Sequence, residues 1–189
     1  FQPELASDGY PLDALREKDH HIVDLSMNLA RMIAGDCQAS GERFDKMLLI
    51  PRGSYPPANT ISRVFGFDAS EILHAGITHY TDGETVGRKK FKYGQMPTPE
   101  EIAGQDLLVI EEVCDTGETL SHLYDLLALA GAGLVRTGVL HYKPGKSTTG
   151  FKPDWWAWET NEWIVYPWEP SEKHANTLGV SVKRRTLPS

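Results

Sequence analysis

One local pattern recurs along this chain and constrains its fold more than any other feature. A short apolar run breaks at a turn bearing glycine or acid, and apolar residues at helical spacing follow. Lys46-Met47-Leu48-Leu49-Ile50 meets Pro51-Arg52-Gly53, after which Ala58, Ile61, Val64 and Phe65 lead to Gly66. Leu107-Leu108-Val109-Ile110 meets Glu111-Glu112, after which Leu123, Leu126, Leu127 and Ala130 lead to Gly131 and Gly133. Ile72–Ala75 and Leu134–Tyr142 are two further predicted strands. Short strands that are apolar throughout, alternating with helices, suit a parallel sheet covered on both faces. The predicted class is therefore α/β, a three-layer, mainly parallel sheet.

The flanks read differently. Leu15, Ile22, Leu25, Leu29, Met32 and Ile33 predict one amphipathic helix across Leu12–Ala34, stopped by Gly35. Thr78–Pro99 is polar, glycine-bearing and basic in "GRKKFK", with no apolar period, and is predicted to be a long, mobile loop. Beyond Lys143 the composition shifts to "FKPDWWAWETNEWIVYPWE", which holds all five tryptophans. We expect a small aromatic-rich hood over about 143–170, which N-terminal residues could join, beside a core of about 46–142. The tail "VKRRTLPS" is expected to fray. At 189 residues and 40% hydrophobic content the whole fits one domain.

Charge and cysteine usage narrow the function. A net charge of -7 argues against a protein whose main task is gripping nucleic acid. No apolar run approaches the roughly 18 residues of a membrane span, and no leader opens the chain at Phe1, so a soluble, trimmed protein is expected. Cys37 and Cys114 are too few and too separated for a disulfide framework or zinc site, which makes a reducing cytoplasm the default. The histidines share no ligand spacing with cysteines or carboxylates and read as ordinary core or surface residues.

The stretch "VIEEVCDTGETL", Val109–Leu120, carries the chemistry. In an open parallel sheet ligands bind beyond the carboxyl ends of the strands, where Glu111 and Glu112 are expected to fall. Adjacent carboxylates accept hydrogen bonds only, and suit a vicinal diol or a hydrated magnesium ion. Asp115-Thr116-Gly117-Glu118-Thr119 precedes a helix, so its N–H groups can converge on a phosphate, helped by the helix dipole. The alternative is that the glutamates are merely solvated and Asp115 or Thr116 caps the helix. No Gly-x-x-x-x-Gly-Lys loop is present, and Gly131-Ala132-Gly133 lies at the wrong end of its helix for a dinucleotide fingerprint.

Read whole, "VIEEVCDTGETL" resembles the phosphoribosyl-pyrophosphate (PRPP) motif of type I phosphoribosyltransferases, most like the hypoxanthine, guanine and xanthine enzymes. The resemblance covers about Lys46 to Glu169. It implies that Glu111 and Glu112 hold the ribose hydroxyls, directly or through Mg2+. Asp115 to Thr119 would wrap the 5′-phosphate, and Asp115 is the candidate to accept or share the proton at a purine N7. The second acid is more often aspartate in that family, and Glu118 stands where a basic or small residue is common. A carboxylate there would repel phosphate, so its side chain is expected to point away while its N–H contributes.

Other segments extend the resemblance. "LLIPRGSYPPA" is similar to the pyrophosphate loop, with Arg52 as forked donor and Gly53 allowing close approach; alone it would be a surface arginine in a turn. Thr78–Pro99 resembles the family's flexible catalytic loop, in which Arg88, Lys89, Lys90 or Lys92 would face departing pyrophosphate, unless the cluster is simply solvated. Lys143 resembles the lysine that reads a purine's carbon-6 oxygen, Trp163 the ring that stacks on the base, Ile164 the residue whose backbone meets the base edge, and Glu169 a late acid near the metal. Trp155, Trp156 and Trp158 are expected to pack, as is Cys114. The implied activity joins a 6-oxopurine to PRPP, yielding a nucleoside monophosphate and pyrophosphate, in a homodimer or homotetramer. A regulator that binds PRPP or a nucleotide without turnover, and a phosphoribosyltransferase for a non-purine base, are the competing readings.

Overall fold

The computed structural model describes residues 15–16, 19–80 and 90–169. The chain divides into two compact units, Ile22–Asn161 and a smaller one assembled from the two chain ends, with Glu162 onward in it. The elements begin with β1 (Leu15–Arg16), α1 (Asp19–Ser40), β2 (Lys46–Leu49) and α2 (Tyr55–Phe65). They continue with β3 (Ile72–His74), β4 (Ile77–Tyr80), β5 (Lys90–Tyr93) and α3 (Pro99–Ile102). β6 (Leu107–Cys114), α4 (Glu118–Leu129), β7 (Val135–Tyr142), β8 (Trp155–Glu159) and β9 (Ile164–Val165) complete the order.

The larger unit is built on a five-stranded sheet in the order β3-β2-β6-β7-β8, parallel at every pairing. The strands are apolar because both faces are covered. On one side Leu120, Leu123 and Leu127 of α4 and Ile102 of α3 pack with Leu107, Val109 and Val139. On the other, α1 comes so close to β7 that a methyl at Gly138 would sit 3.1 Å from Ile33 Cδ1 and 3.5 Å from Leu29 Cδ1. Leu123, Leu127, Leu29 and Ile33 are all but fully buried, each worth about 1.5–3 kcal/mol relative to exposure.

The structure moves several expected boundaries. α1 runs straight through Gly35 and ends at Gly41, whose φ of 79° and N–H to the Cys37 carbonyl (2.8 Å) make the left-handed stop. An isolated glycine on a helix surface costs about 1 kcal/mol, too little to end a helix anchored by Leu29 and Ile33. α1 begins at Asp19 rather than Leu12: Leu15 and Arg16 form β1, paired with β9, and the other residues before Asp19 lie outside the described residues. Thr78–Pro99 is not one featureless loop: β4 and β5 pair antiparallel, Thr78 opposite Lys92, and α3 begins at Pro99 behind a capping box from Thr98 and Glu101. The aromatic segment also divides. Trp155–Glu159 becomes the edge strand β8, tied in by Asp154, which accepts from Thr137 N–H (2.7 Å) and pairs with Arg136 (3.1 Å).

Trp155 is buried and donates from its ring N–H to Asp36 (2.7 Å), and Trp156 packs on Tyr142, but Trp158 is half exposed. The packing expected of all three is seen for Trp155 and Trp156, whereas Trp158, two residues on and on the same face of β8 as Trp156, is half exposed. In the smaller unit, β1 pairs in parallel with β9, Leu15 opposite Ile164, and Tyr166 stacks on Trp168. The tail and residues 1–14 lie outside the described residues.

Candidate active site

β6 decides the geometry. It does not stop at Ile110, as hydropathy suggested, but continues to Cys114, so both glutamates lie inside the hydrogen-bonded ladder with Glu111 opposite Val139. Polar side chains do not end a strand while a neighbour still offers backbone partners, and β7 does so as far as Tyr142. Neighbouring residues of a strand start toward opposite faces, yet these two carboxylates lie close enough to interact directly. Glu111 is buried and its Oε1 accepts the N–H of Glu112 (2.9 Å). Burial, with the Glu112 charge next to it, pushes the Glu111 carboxyl well above the usual carboxylate range. A carboxyl in that environment gains most from a cation or a hydroxyl brought to it.

Glu112 faces the loop after β2. A Cβ built on Gly53 would fall within the Glu112 carboxylate, so only glycine lets that carboxylate lie against the loop backbone. The Pro51–Arg52 peptide is cis, and Ser54 Oγ donates to the Ile50 carbonyl. Arg52 is exposed, at the same end of β2 that Ile110 and Glu111 reach on β6. The second acid of the pair and the expected pyrophosphate loop are thus brought into contact.

After Cys114 the chain turns through Asp115, Thr116 and Gly117 into α4. Gly117 holds φ 79° and ψ -5°, and a methyl on it would stand 2.6 Å from Thr149 Oγ1 and 3.0 Å from Phe151 Cβ. The turn is thus overlaid by the segment that follows β7. Thr148 N–H donates to the Thr116 carbonyl (3.0 Å), and the Thr148 hydroxyl donates to Glu118 Oε1 (2.8 Å). Glu118 is buried, with its carboxylate directed to Thr148 and its N–H 3.4 Å from Thr116 Oγ1. Thr119 is half-buried in the first turn of α4.

Lys143 follows β7 directly, is buried, and places its ammonium 3.4 Å from Asp115 Oδ2, while its N–H donates to the Cys114 carbonyl (2.9 Å). Asp115 stays half exposed. Parallel pairing of Cys114 with Tyr142 is what brings these two neighbours together. Cys114 itself is buried and its thiol is pushed up to about 12, chiefly by desolvation, which leaves it a packing residue rather than a nucleophile.

Trp163, Ile164 and Glu169 belong to the smaller unit. Trp163 is exposed, Ile164 is buried on β9, and Glu169 N–H donates to the Tyr166 carbonyl (3.0 Å). Of the four basic candidates in the 78–99 segment, Arg88 and Lys89 lie outside the described residues, Lys90 lies on β5, and Lys92 is exposed there. Among the described residues no three His, Cys, Asp or Glu side chains form a metal cage. On the larger unit Glu111 and Glu112 are the carboxylates whose chemistry suits magnesium, an ion commonly held by one or two carboxylates together with substrate phosphates.

Sequence reading missed Thr148, Thr149 and His122. The threonines meet the Asp115–Glu118 turn only through tertiary folding, and "KSTTG" reads locally as a turn and nothing more. His122 stacks on Phe91 (centroids 4.1 Å apart, planes 8° apart) and shares a 2.5 Å hydrogen bond with the Tyr93 hydroxyl, docking β5 on α4. Alternating aromatics in "FKY" were the available sign.

Comparison with known proteins bears on the family and the fold. Residues 18–174 match the family model described as a phosphoribosyl transferase domain. A hypoxanthine-guanine phosphoribosyltransferase of Streptococcus thermophilus is 31% identical over 88 residues, 46% of this chain and 49% of that protein. The match thus spans about half the length of the curated relative. Among solved structures, the purine phosphoribosyltransferase of Pyrococcus horikoshii has a TM-score of 0.67 at 20% identity, covering 84% of this chain and 95% of that one. A hypothetical protein from Neisseria gonorrhoeae with bound ppGpp has a TM-score of 0.69 at 24% identity, covering 86% and 95%. At such identities these likenesses establish the fold.

Proposed function

The chain belongs to the phosphoribosyltransferase family, and from that premise we propose that it transfers the phosphoribosyl group of PRPP to a 6-oxopurine in purine salvage. The observation that carries the reading is the Lys143–Asp115 pair at 3.4 Å, beside the turn that opens α4. A lysine only donates, so it favours an oxo over an amino group on the base. The aspartate next to it is the acceptor for the purine proton. A base-reading donor and a proton acceptor have no reason to share one corner of a site that binds PRPP alone.

In the proposed reaction a base nitrogen attacks carbon 1 of the ribose, a C–N bond forms, and the bond to pyrophosphate breaks. Asp115 takes up or shares the proton the base gives up. Glu111 and Glu112 orient the sugar and support positive charge as it develops at the ring. Thr116, Gly117, Glu118 and Thr119 hold the 5′-phosphate at the α4 N-terminus through their N–H groups and hydroxyls. Arg52 and the Gly53 backbone receive the pyrophosphate. Glu111 and Glu112 are proposed to hold magnesium, as is Glu169, and the ion would supply neutralising charge for the departing group. Trp163 and Ile164 are proposed to stack on the base and meet its edge. Most of the rate comes from positioning and charge.

The test is a base panel of hypoxanthine, guanine, xanthine, adenine, uracil and orotate, each with PRPP and magnesium, read as pyrophosphate release. Turnover with the oxopurines is expected, and Asp115→Asn should slow it far more than it weakens PRPP binding. Tight PRPP binding with no turnover on any base would convert the reading to a sensor. Turnover with uracil or orotate alone would convert it to a different base class.

A further inference from the structure

Glu118 is an acid in a turn built for an anion, and it is buried rather than extended into solvent. Its carboxylate accepts the hydroxyl of Thr148, thirty residues on. Thr148 N–H and the Thr149 hydroxyl reach the Thr116 carbonyl at 3.0 Å and 3.4 Å, so the segment after Lys143 closes over the turn. The short helical turn Pro144–Lys146 and Ser147 are all that separate Lys143 from this contact. The first turn of α4 is a favourable place for a carboxylate, but the same dipole is what a 5′-phosphate uses, and the two negative charges repel.

We propose that Glu118 is a positioning residue. It fixes the 147–150 segment, and through it Lys143, in register with the phosphate turn, and it does so at the expense of phosphate affinity. This rests on the phosphoribosyl-transfer reading of the site. A basic residue at 118, or one too small to reach Thr148, would hold phosphate more tightly and would leave the base-reading segment unanchored. Glu118 thereby links recognition of the base to recognition of the phosphate at the far end of the same ligand.

Three variants separate the carboxylate's charge from its hydrogen bond. Glu118→Gln keeps an oxygen that accepts from Thr148 and removes the charge. Hydrogen–deuterium exchange over 144–151 should match wild type, while ribose 5-phosphate, measured by calorimetry, should bind several-fold tighter. Glu118→Ala and Thr148→Val both remove the contact. Each should speed exchange over 144–151 and raise KM for the base about five-fold, the equivalent of one net hydrogen bond, with kcat changed less. Wild-type exchange and base KM in Thr148→Val would overturn the proposal, even if Glu118→Ala does not fold. So would ribose 5-phosphate binding in Glu118→Gln that is unchanged or weaker. If wild-type protein turned over no base, the transfer reading would fall, and the exchange and ribose 5-phosphate arms would still decide the role of Glu118.

Discussion

Gly53→Ala should leave the protein folded and strip it of PRPP affinity. The added methyl would land among Cδ and both oxygens of the Glu112 carboxylate. What it meets is the far end of a flexible side chain, so the carboxylate swings before the backbone moves. A forced rotamer of this kind costs about 0.5–1.5 kcal/mol, and urea unfolding should show a loss no larger than that. Ligand binding should suffer more. If Glu112 holds a ribose hydroxyl or magnesium, displacing it forfeits a charge-assisted hydrogen bond of about 1.5–3 kcal/mol, or about 10- to 150-fold in Kd. The assay is calorimetric titration with PRPP and magnesium on wild type, Gly53→Ala, Glu112→Ala and the double variant. Because the glycine acts through the glutamate, Gly53→Ala should add nothing once Glu112 is gone. Additive losses, or wild-type affinity in Gly53→Ala, would refute the reasoning.

Three further outcomes follow from described geometry. Gly117→Ala forces a left-handed φ of 79° on a residue with a Cβ and presses a methyl against Thr149, so stability should fall by about 1–2 kcal/mol with weaker binding of inosine 5′-monophosphate. Asp154→Ala leaves the buried Thr137 N–H without its side-chain acceptor and Arg136 with Glu42 alone of its two carboxylates, and urea denaturation should register a loss of about 2 kcal/mol. The Tyr124 phenol is pushed from 10.0 up to about 12, mainly by burial and against the help of its bond to Thr137. Below pH 10 the phenol is neutral folded or unfolded and the stability is fully present; between pH 10 and 12 only the unfolded chain ionises, so stability falls as pH rises. Tyr124→Phe should lose less stability than wild type across that window, and equal slopes would show that Tyr124 is not the group responsible.

What the sequence made legible was the part of the fold written at short range. Apolar strands followed by helices placed β2, β6, β7, α2 and α4, and the Glu-Glu and Asp-Thr-Gly pattern located the turn that opens α4, where the candidate site is proposed. Errors arose where a local cue was outweighed by partners distant in sequence. Glu111 and Glu112 read as the end of a strand, yet β7 supplies ladder partners as far as Tyr142, so β6 keeps going. Gly35 read as a stop, yet burial of Leu29 and Ile33 carries α1 past it. Five tryptophans read as one lobe, yet Trp155 is claimed by Asp36 and Phe44 of the larger unit. The Glu118–Thr148 bond has no periodicity, spacing or composition to announce it. Within the site, the residues on β6 and its turn were readable, while those that hold the turn in place were not.

The extension of β6 through both acids has a consequence for descent. Glu111 and Glu112 are fixed in the ladder that organises the core, so a mutation that shifts them also disturbs the packing of the sheet. The segment that carries Lys143 onward is attached to the α4 turn largely through threonine hydroxyls, one main-chain bond and an ion pair, attachments that single substitutions can loosen or rebuild. On the proposed reading, copies of such a gene can therefore explore new bases through the segment after β7 while the strand proposed to hold the sugar stays unchanged. Diversification on this scaffold should accumulate after β7 and leave the strand with the paired glutamates nearly untouched.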